Sequence, residues 1–361
     1  MSAGDTAGEG LANPRSGAGD DAEAPRRRAR PLPWQHRLVA DMLARRAGWA
    51  HALLLTGPAG IGKRALAEAL AVALLCESPQ GDGSACGECP GCRYAAAGQH
   101  PDLRIVEPID VDDEGVAKPV ESIVVDRIRA LIGWVQVTSH RGGAKVAVIA
   151  PAERMNAAAA NALLKTLEEP PPGTFLILVS HQPGRLPATI ASRCQRIAAP
   201  RPTAAEAAAW LAGQGVADPG RALAQAAGAP LAALGLAGDE YQAERSAWIA
   251  ALARPAALSA VTLGARIDAL PRESRKDGLA ALIGWLSGWC SDLARVRCGA
   301  APLQNRDLRA ELAALAGSVA PIALFRYHRS LMEARARLGH PLQPRLVAEA
   351  LLIDYRDLFG R

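Results

Sequence analysis

The chain has 361 residues, more than one ordinary core needs, so at about 100–200 residues per domain two or three domains are predicted. Half of the residues are hydrophobic and 21% are charged, which excludes a disordered chain, while 4% aromatics argue against base stacking as its main business. A net charge of +5 is small for this length and excludes a strongly basic nucleic-acid face.

Residues 1–31 are small and polar, acidic then basic, without apolar periodicity, and are expected to be a disordered tail. The basic cluster Arg26, Arg27, Arg28 and Arg30 reads as a solvated stretch, with nucleic-acid contact as the competing reading. The N-terminus lacks the apolar segment of a secretory signal, and no apolar stretch approaches the ~20 residues needed to span a bilayer. A cytoplasmic protein with no membrane partner is expected. In that reducing compartment the cysteines are candidate metal ligands or buried thiols rather than disulfides.

From Pro33 onward, Leu38, Val39, Met42 and Leu43 recur at helical spacing. Residues 52–56 form a short apolar strand, followed by a Gly-rich turn and a helical pattern over 65–75; strand, glycine loop and helix open a parallel α/β sheet. After an extended stretch at 119–125, a helix is predicted over 124–134, with further buried strands at 145–149 and 175–179. Between those two strands, residues 157–167 read as a helix, ended by Glu168, Glu169 and three prolines. Beyond Pro200 the chain is Ala- and Leu-rich, with helical periodicity and no convincing strand, and shows no fixed-period repeat.

The glycine loop is Gly57-Pro58-Ala59-Gly60-Ile61-Gly62-Lys63, a P-loop pattern in which Gly57, Gly60, Gly62 and Lys63 are the candidate nucleotide-binding residues. The next position should offer a hydroxyl to Mg²⁺, but it is Arg64, and a guanidinium cannot ligate a cation. The acidic pair expected after the strand at 145–149 is replaced by Ala150 and Pro151; Glu153, nearby, reads as a helix-start carboxylate. Two parts of the hydrolytic apparatus are therefore missing. No turnover is expected, and whether ATP occupies the loop stays open.

Cys86, Cys89 and Cys92 form C-x2-C-x2-C, with Cys76 ten residues upstream at the end of the P-loop helix. Four thiolates on tight turns predict a structural Zn²⁺ site, and an iron–sulfur cluster is the competing reading because short spacings serve both. Cys194, Cys290 and Cys298 are isolated and are expected to be buried thiols.

The segments HALLLTGPAGIGKRALAEALAVALLC, CGECPGC with His100, Pro101 and Asp102 after it, NALLKTLEEPPPGT and LPATIASRCQR occur in this order. Over residues 33 to about 200 they closely resemble the clamp-loader subunits of bacterial DNA polymerase III, within the AAA+ class. The resemblance implies an AAA+ α/β core with a zinc knuckle over 32–200, a small helical lid over 201–240 and a C-terminal helical collar over 241–361 that oligomerises with sister subunits. Arg64, Ala150 and Pro151 place the chain with the non-hydrolysing kind of subunit, as does Leu231, which stands where that family's sensor-2 arginine is expected. In Ser192-Arg193-Cys194 the resemblance makes Arg193 an arginine finger for a neighbour's nucleotide, against the alternative of an ordinary surface salt bridge. The implied role is the stationary piece of a loader that places a sliding clamp on primed DNA, with motor (gamma/tau-like) subunits and a delta subunit as partners. It would belong to a DNA polymerase holoenzyme without being an ATPase by itself. Two alternatives stay open: an active motor subunit, and a zinc-dependent nucleic-acid binder whose knuckle would offer Arg93 and Tyr94.

Overall fold

The computed structural model describes residues 30–111, 117–340 and 342–360. The expected tail and Arg26, Arg27 and Arg28 lie outside them, apart from its last two residues. The chain packs into two compact units, divided at residues 215 and 216, with residues 229–232 joining the first.

In the first unit, α1 (His36–Ala44) leads into β1 (Ala52–Thr56), the P-loop and α2 (Lys63–Leu75), and α3 (Pro90–Ala96) follows. Then come β2 (Leu103–Val106), β3 (Ile109–Val111), β4 (Ala117–Pro119), α4 (Val125–Gln136), β5 (Lys145–Ile149), α5 (Ala157–Glu168), β6 (Thr174–Ser180), α6 (Ala188–Ala191), β7 (Gln195–Ala198) and α7 (Ala204–Gly213). Five described strands make a parallel sheet in the order β2-β5-β6-β1-β7, and β3 pairs antiparallel with β4.

Strand residues alternate between the two faces of the sheet. Leu53, Leu55, Val146, Val148, Ile177 and Val179 pack with Leu66, Leu70 and Leu74 of α2, while Leu54, Ala147, Ile149, Leu176 and Leu178 pack with Ile128 of α4 and Leu163 of α5. Covered on both faces, the central strands read as unbroken apolar runs. Each Leu or Val fully buried there stabilises the fold by about 1.5–3 kcal/mol. Asn156 caps α5, its side-chain oxygen accepting from the Ala159 N–H at 2.8 Å.

The strands predicted at 52–56, 145–149 and 175–179 are central; β2 and β7 were not predicted because they are edges. Arg104 and Ile105 of β2, and Gln195, Arg196 and Ala198 of β7, are exposed, so neither strand carries a continuous apolar signal.

In the helical region, α8 (Pro219–Gln225), α9 (Pro230–Leu236), α10 (Asp239–Leu252), α11 (Ala260–Asp268), α12 (Arg275–Arg297), α13 (Arg309–Ala316), α14 (Pro321–Ala336) and α15 (Pro344–Asp357) follow, with no strand among the described residues. The second unit has its own core around Trp248, Trp289 and Tyr355. Two of its buried polar side chains are linked: Trp289 Nε1 donates to Tyr355 Oη at 2.8 Å, and Tyr355 Oη to the Leu252 carbonyl at 2.7 Å, while Trp248 Nε1 has no partner among the described residues. Asp292, fully buried, accepts from the backbone N–H groups of Leu303, Gln304 and Asn305 and so fixes the turn after α12.

Candidate functional site

The P-loop joins β1 to α2 through residues that need left-handed backbone. Gly60 and Gly62 have φ of 76° and 84°, and Gly62 is the N-cap of α2. The loop is held from outside: Trp34 Nε1 donates to the Ile61 carbonyl at 3.0 Å and Gln35 Nε2 to the Gly62 carbonyl at 2.7 Å. From the start of α9, the Leu231 N–H donates to the Gly60 carbonyl at 3.0 Å. Leu231 therefore touches the loop through its backbone.

Lys63 is fully buried, and its ammonium donates to the Pro58 carbonyl within its own loop. Arg64 pairs with Glu107 and, at 2.8 Å, with Glu68. The residue that follows the P-loop lysine thus has its guanidinium engaged by two carboxylates. At the end of β5, Ala150 is buried and its N–H donates to the Val106 carbonyl at 3.0 Å. Glu153 lies at the start of a single 3-10 turn, as a helix-start carboxylate would, and accepts from the backbone N–H groups of His181 at 2.8 Å and Gln182 at 3.1 Å. It thereby also anchors the turn that leaves β6.

The four cysteines converge. Cys76 ends α2, Cys89 caps α3, and the four Sγ atoms lie within 4.8 Å of one another. Sγ separations of 3.6 Å (Cys76–Cys86), 3.9 Å (Cys76–Cys89) and 4.0 Å (Cys86–Cys92) match the ~3.8 Å edge of a tetrahedron with Zn–S bonds of ~2.3 Å. Backbone N–H groups of Cys86, Glu88, Cys89 and Cys92 donate to the sulfurs at 3.3 to 3.4 Å, which favours thiolates. Burial, the largest single influence, would raise the Cys89 thiol, but the hydrogen bonds it receives, led by the Cys92 N–H, together outweigh it and bring the group down to about 6. Cys86 is lowered by the N–H groups of Glu88 and Cys89, whereas burial raises Cys76 and Cys92. The donor set fits a divalent, thiophilic ion.

Residues after the knuckle fasten it to the sheet. Asp102 is fully buried and accepts from Ser139 Oγ at 3.1 Å and the backbone N–H groups of His140 at 2.9 Å and Arg141 at 3.0 Å. Burial would raise its carboxyl, yet the N–H donors of His140 and Arg141 hold it below the ordinary carboxylate range. Arg141 pairs with Glu77 at 2.6 Å, and Glu77 accepts from the Gly91 N–H inside the knuckle at 3.1 Å. Sequence reading noted His100, Pro101 and Asp102 without assigning this anchoring role. The separation of 38 positions from Asp102 to His140 hides it.

Arg193 follows the short α6, at the surface, with about a third of its side chain exposed (34%). Nε donates to Glu168 Oε1 at 2.7 Å, Nη2 contacts the same oxygen, and Nη1 donates to the Thr189 carbonyl at 2.9 Å. Cys194 and Cys290 are buried as expected, and burial lifts the Cys194 thiol to about 11. Cys298 is a correction: it is exposed, because it caps the end of α12 where the helix leaves its core. Among the described residues, no helix is long and apolar enough to cross a membrane.

Fold and site together define a class: a P-loop α/β protein of the AAA+ kind, with a four-cysteine knuckle and an arginine directly after the P-loop lysine. Residues 37–202 match the family model described as DNA polymerase III, delta subunit, and residues 266–356 the one described as DNA polymerase III, delta subunit, C terminal. DNA polymerase III subunit delta′ of Pseudomonas aeruginosa is 38% identical over 91% of this chain and 98% of its own length, and that of Escherichia coli is 36% identical over 81% and 84%. The chain belongs to the DNA polymerase III subunit delta′ family. DNA polymerase III subunit tau of Escherichia coli is 38% identical, but over only 40% of this chain and 20% of its own length.

Proposed function

We propose that this chain is the stationary, non-hydrolysing subunit of a clamp loader, a part of DNA polymerase III that assists ATP hydrolysis in a neighbour without performing its own. The observation that carries this reading is Arg64, tied to Glu107 and Glu68 in the position that should ligate magnesium. The replacement of the acidic pair by Ala150 and Pro151, and the engagement of Lys63 with Pro58, point the same way. Gly57, Gly60, Gly62 and Lys63 are then the remains of a nucleotide site, Cys76, Cys86, Cys89 and Cys92 hold a structural Zn²⁺, and Arg193 is the finger supplied in trans. Core 32–200, lid 201–240 and collar 241–361 are the working parts, with motor subunits, a delta subunit, the clamp and primed DNA as partners. The location is the cytoplasm.

The test has two arms. The purified chain should show no magnesium-dependent ATP hydrolysis above background, and Arg64→Ser should not create it, because the acidic pair is also missing. Robust turnover that disappears in Lys63→Ala would identify a motor subunit instead. In complexes reconstituted with motor and delta subunits, Arg193→Ala should lower clamp- and DNA-stimulated ATP turnover, since an arginine in trans contributes on the order of 10³–10⁵ at its own site. Arg193→Lys should rescue poorly, an ammonium lacking the two-pronged edge of a guanidinium. Unchanged turnover at equal assembly would leave Arg193 as a surface residue.

A further inference from the structure

Glu168 is the last residue of α5, which puts its carboxylate at the negative end of the helix, the wrong charge for the macrodipole. The helix gains nothing locally from that carboxylate. What it does is grip Arg193, 25 residues further along, by two of the guanidinium nitrogens. Thr189 holds the third nitrogen through its carbonyl at 2.9 Å, and Ser192 Oγ stands at 3.5 Å, the edge of hydrogen-bonding reach. A guanidinium has five N–H groups in a fixed plane. With Nε and Nη2 turned to Glu168 and Nη1 to Thr189, the second N–H of Nη2 is left for a ligand outside the chain, and on Nη1 the only further acceptor among the described residues is Ser192 Oγ, at a distance a phosphate oxygen would readily better.

We propose that Glu168 is a positioning residue for Arg193: with the Thr189 carbonyl it fixes the guanidinium from two sides and presents the Nη1/Nη2 edge to the terminal phosphate of a nucleotide bound by the neighbouring subunit. This rests on Arg193 acting in trans. The chemistry suits the task, because two parallel N–H groups match two phosphate oxygens. A long side chain held in place before the neighbour docks also has less freedom to lose at the moment of phosphoryl transfer.

The experiment measures kcat and KM for ATP in complexes reconstituted from motor subunits, delta subunit, clamp, primed DNA and this chain as wild type, Glu168→Ala, Glu168→Gln, Arg193→Ala or Glu168→Ala/Arg193→Ala. Assembly is matched by size-exclusion chromatography, and each variant is compared in thermal melting. The kcat that Arg193→Ala removes defines the trans contribution. Glu168→Ala should remove about half of that share or more with KM unchanged, because the contact acts in the transition state. Glu168→Gln, which keeps an oxygen acceptor, should lose less, and the double variant should be no slower than Arg193→Ala alone. A Glu168→Ala complex as fast as wild type, or faster, beside a slow Arg193→Ala complex would overturn the positioning role and leave the finger standing. Arg193→Ala without effect would overturn both.

Discussion

At the scale of single residues, the cysteines make the firmest demand. Sulfur atoms spaced like the corners of a zinc tetrahedron and ringed by N–H donors should bind one Zn²⁺ per chain, measured by elemental analysis of protein purified without chelator. Cys89→Ser and Cys92→Ser should lose the metal and lower stability by on the order of 2–3 kcal/mol, roughly 5–10 °C in a unit of this size. Iron in place of zinc would move the site to the cluster reading. Asp102 gives a prediction with a pH sign. Asp102→Asn should cost about 1–3 kcal/mol, because one carbonyl oxygen cannot satisfy donors that two carboxylate oxygens satisfy. The folded carboxyl lies below its unfolded value, so its contribution is fully present above the unfolded value of ~3.9 and is lost as pH falls toward the folded one. Urea melts should thus give the same gap between wild type and Asp102→Asn at pH 7 and pH 5, and a narrower gap below about pH 3.9. A gap already closing between pH 7 and pH 5 would contradict the depressed carboxyl.

Among the elements, the loop between β1 and α2 shows what sequence can and cannot convey. The spacing Gly57, Gly60, Gly62 and Lys63 announces the turn, and an arginine rather than a hydroxyl at position 64 is equally plain, since both features are local. The grip on the loop is not legible, because Trp34, Gln35 and Leu231 reach it from distant stretches of chain. For the same reason Arg193 could be picked out by its motif while its partner Glu168 could not. Central strands declare themselves by continuous burial and edge strands do not, and a cysteine at a helix end, such as Cys298, has no pattern that separates it from a buried one. The crowding at Gly62 is testable: a methyl there would lie 2.1 Å from Leu32 Cδ1, on a backbone at φ 84°. Gly62→Ala should lower stability by about 1–3 kcal/mol in thermal or urea melts. Gly48→Ala, with nothing within 4 Å, should be close to neutral and serves as its control.

For the molecule as a whole, the proposed role of completing a neighbour's chemistry would require the subunit to be held in place by surfaces other than its own nucleotide site, and the helical unit carries residues suited to that. Ile322 and Phe325 are 67% and 65% exposed on α14, with Met332 on the same helix. At about 100° per residue these three fall within one arc of less than a quarter turn, and Leu346 and Ile353 recur at one heptad on α15. Clustered exposed apolar side chains are costly on a solitary protein and ordinary on one that is covered in a complex. The collar reading assigns them to contact with sister subunits. Phe325→Glu should then leave the melting temperature of the isolated chain within about 1–2 °C of wild type, because the side chain contributes little to its own core. In mixtures with motor and delta subunits the same variant should elute mostly as uncomplexed chain on size-exclusion chromatography, since a carboxylate buried in an apolar contact has no partner. ATP turnover should fall with assembly, in contrast to Arg193→Ala, which on the proposed reading should lower turnover while the complex stays intact. Full assembly by Phe325→Glu would show that α14 faces solvent in the complex and that the subunit is held elsewhere.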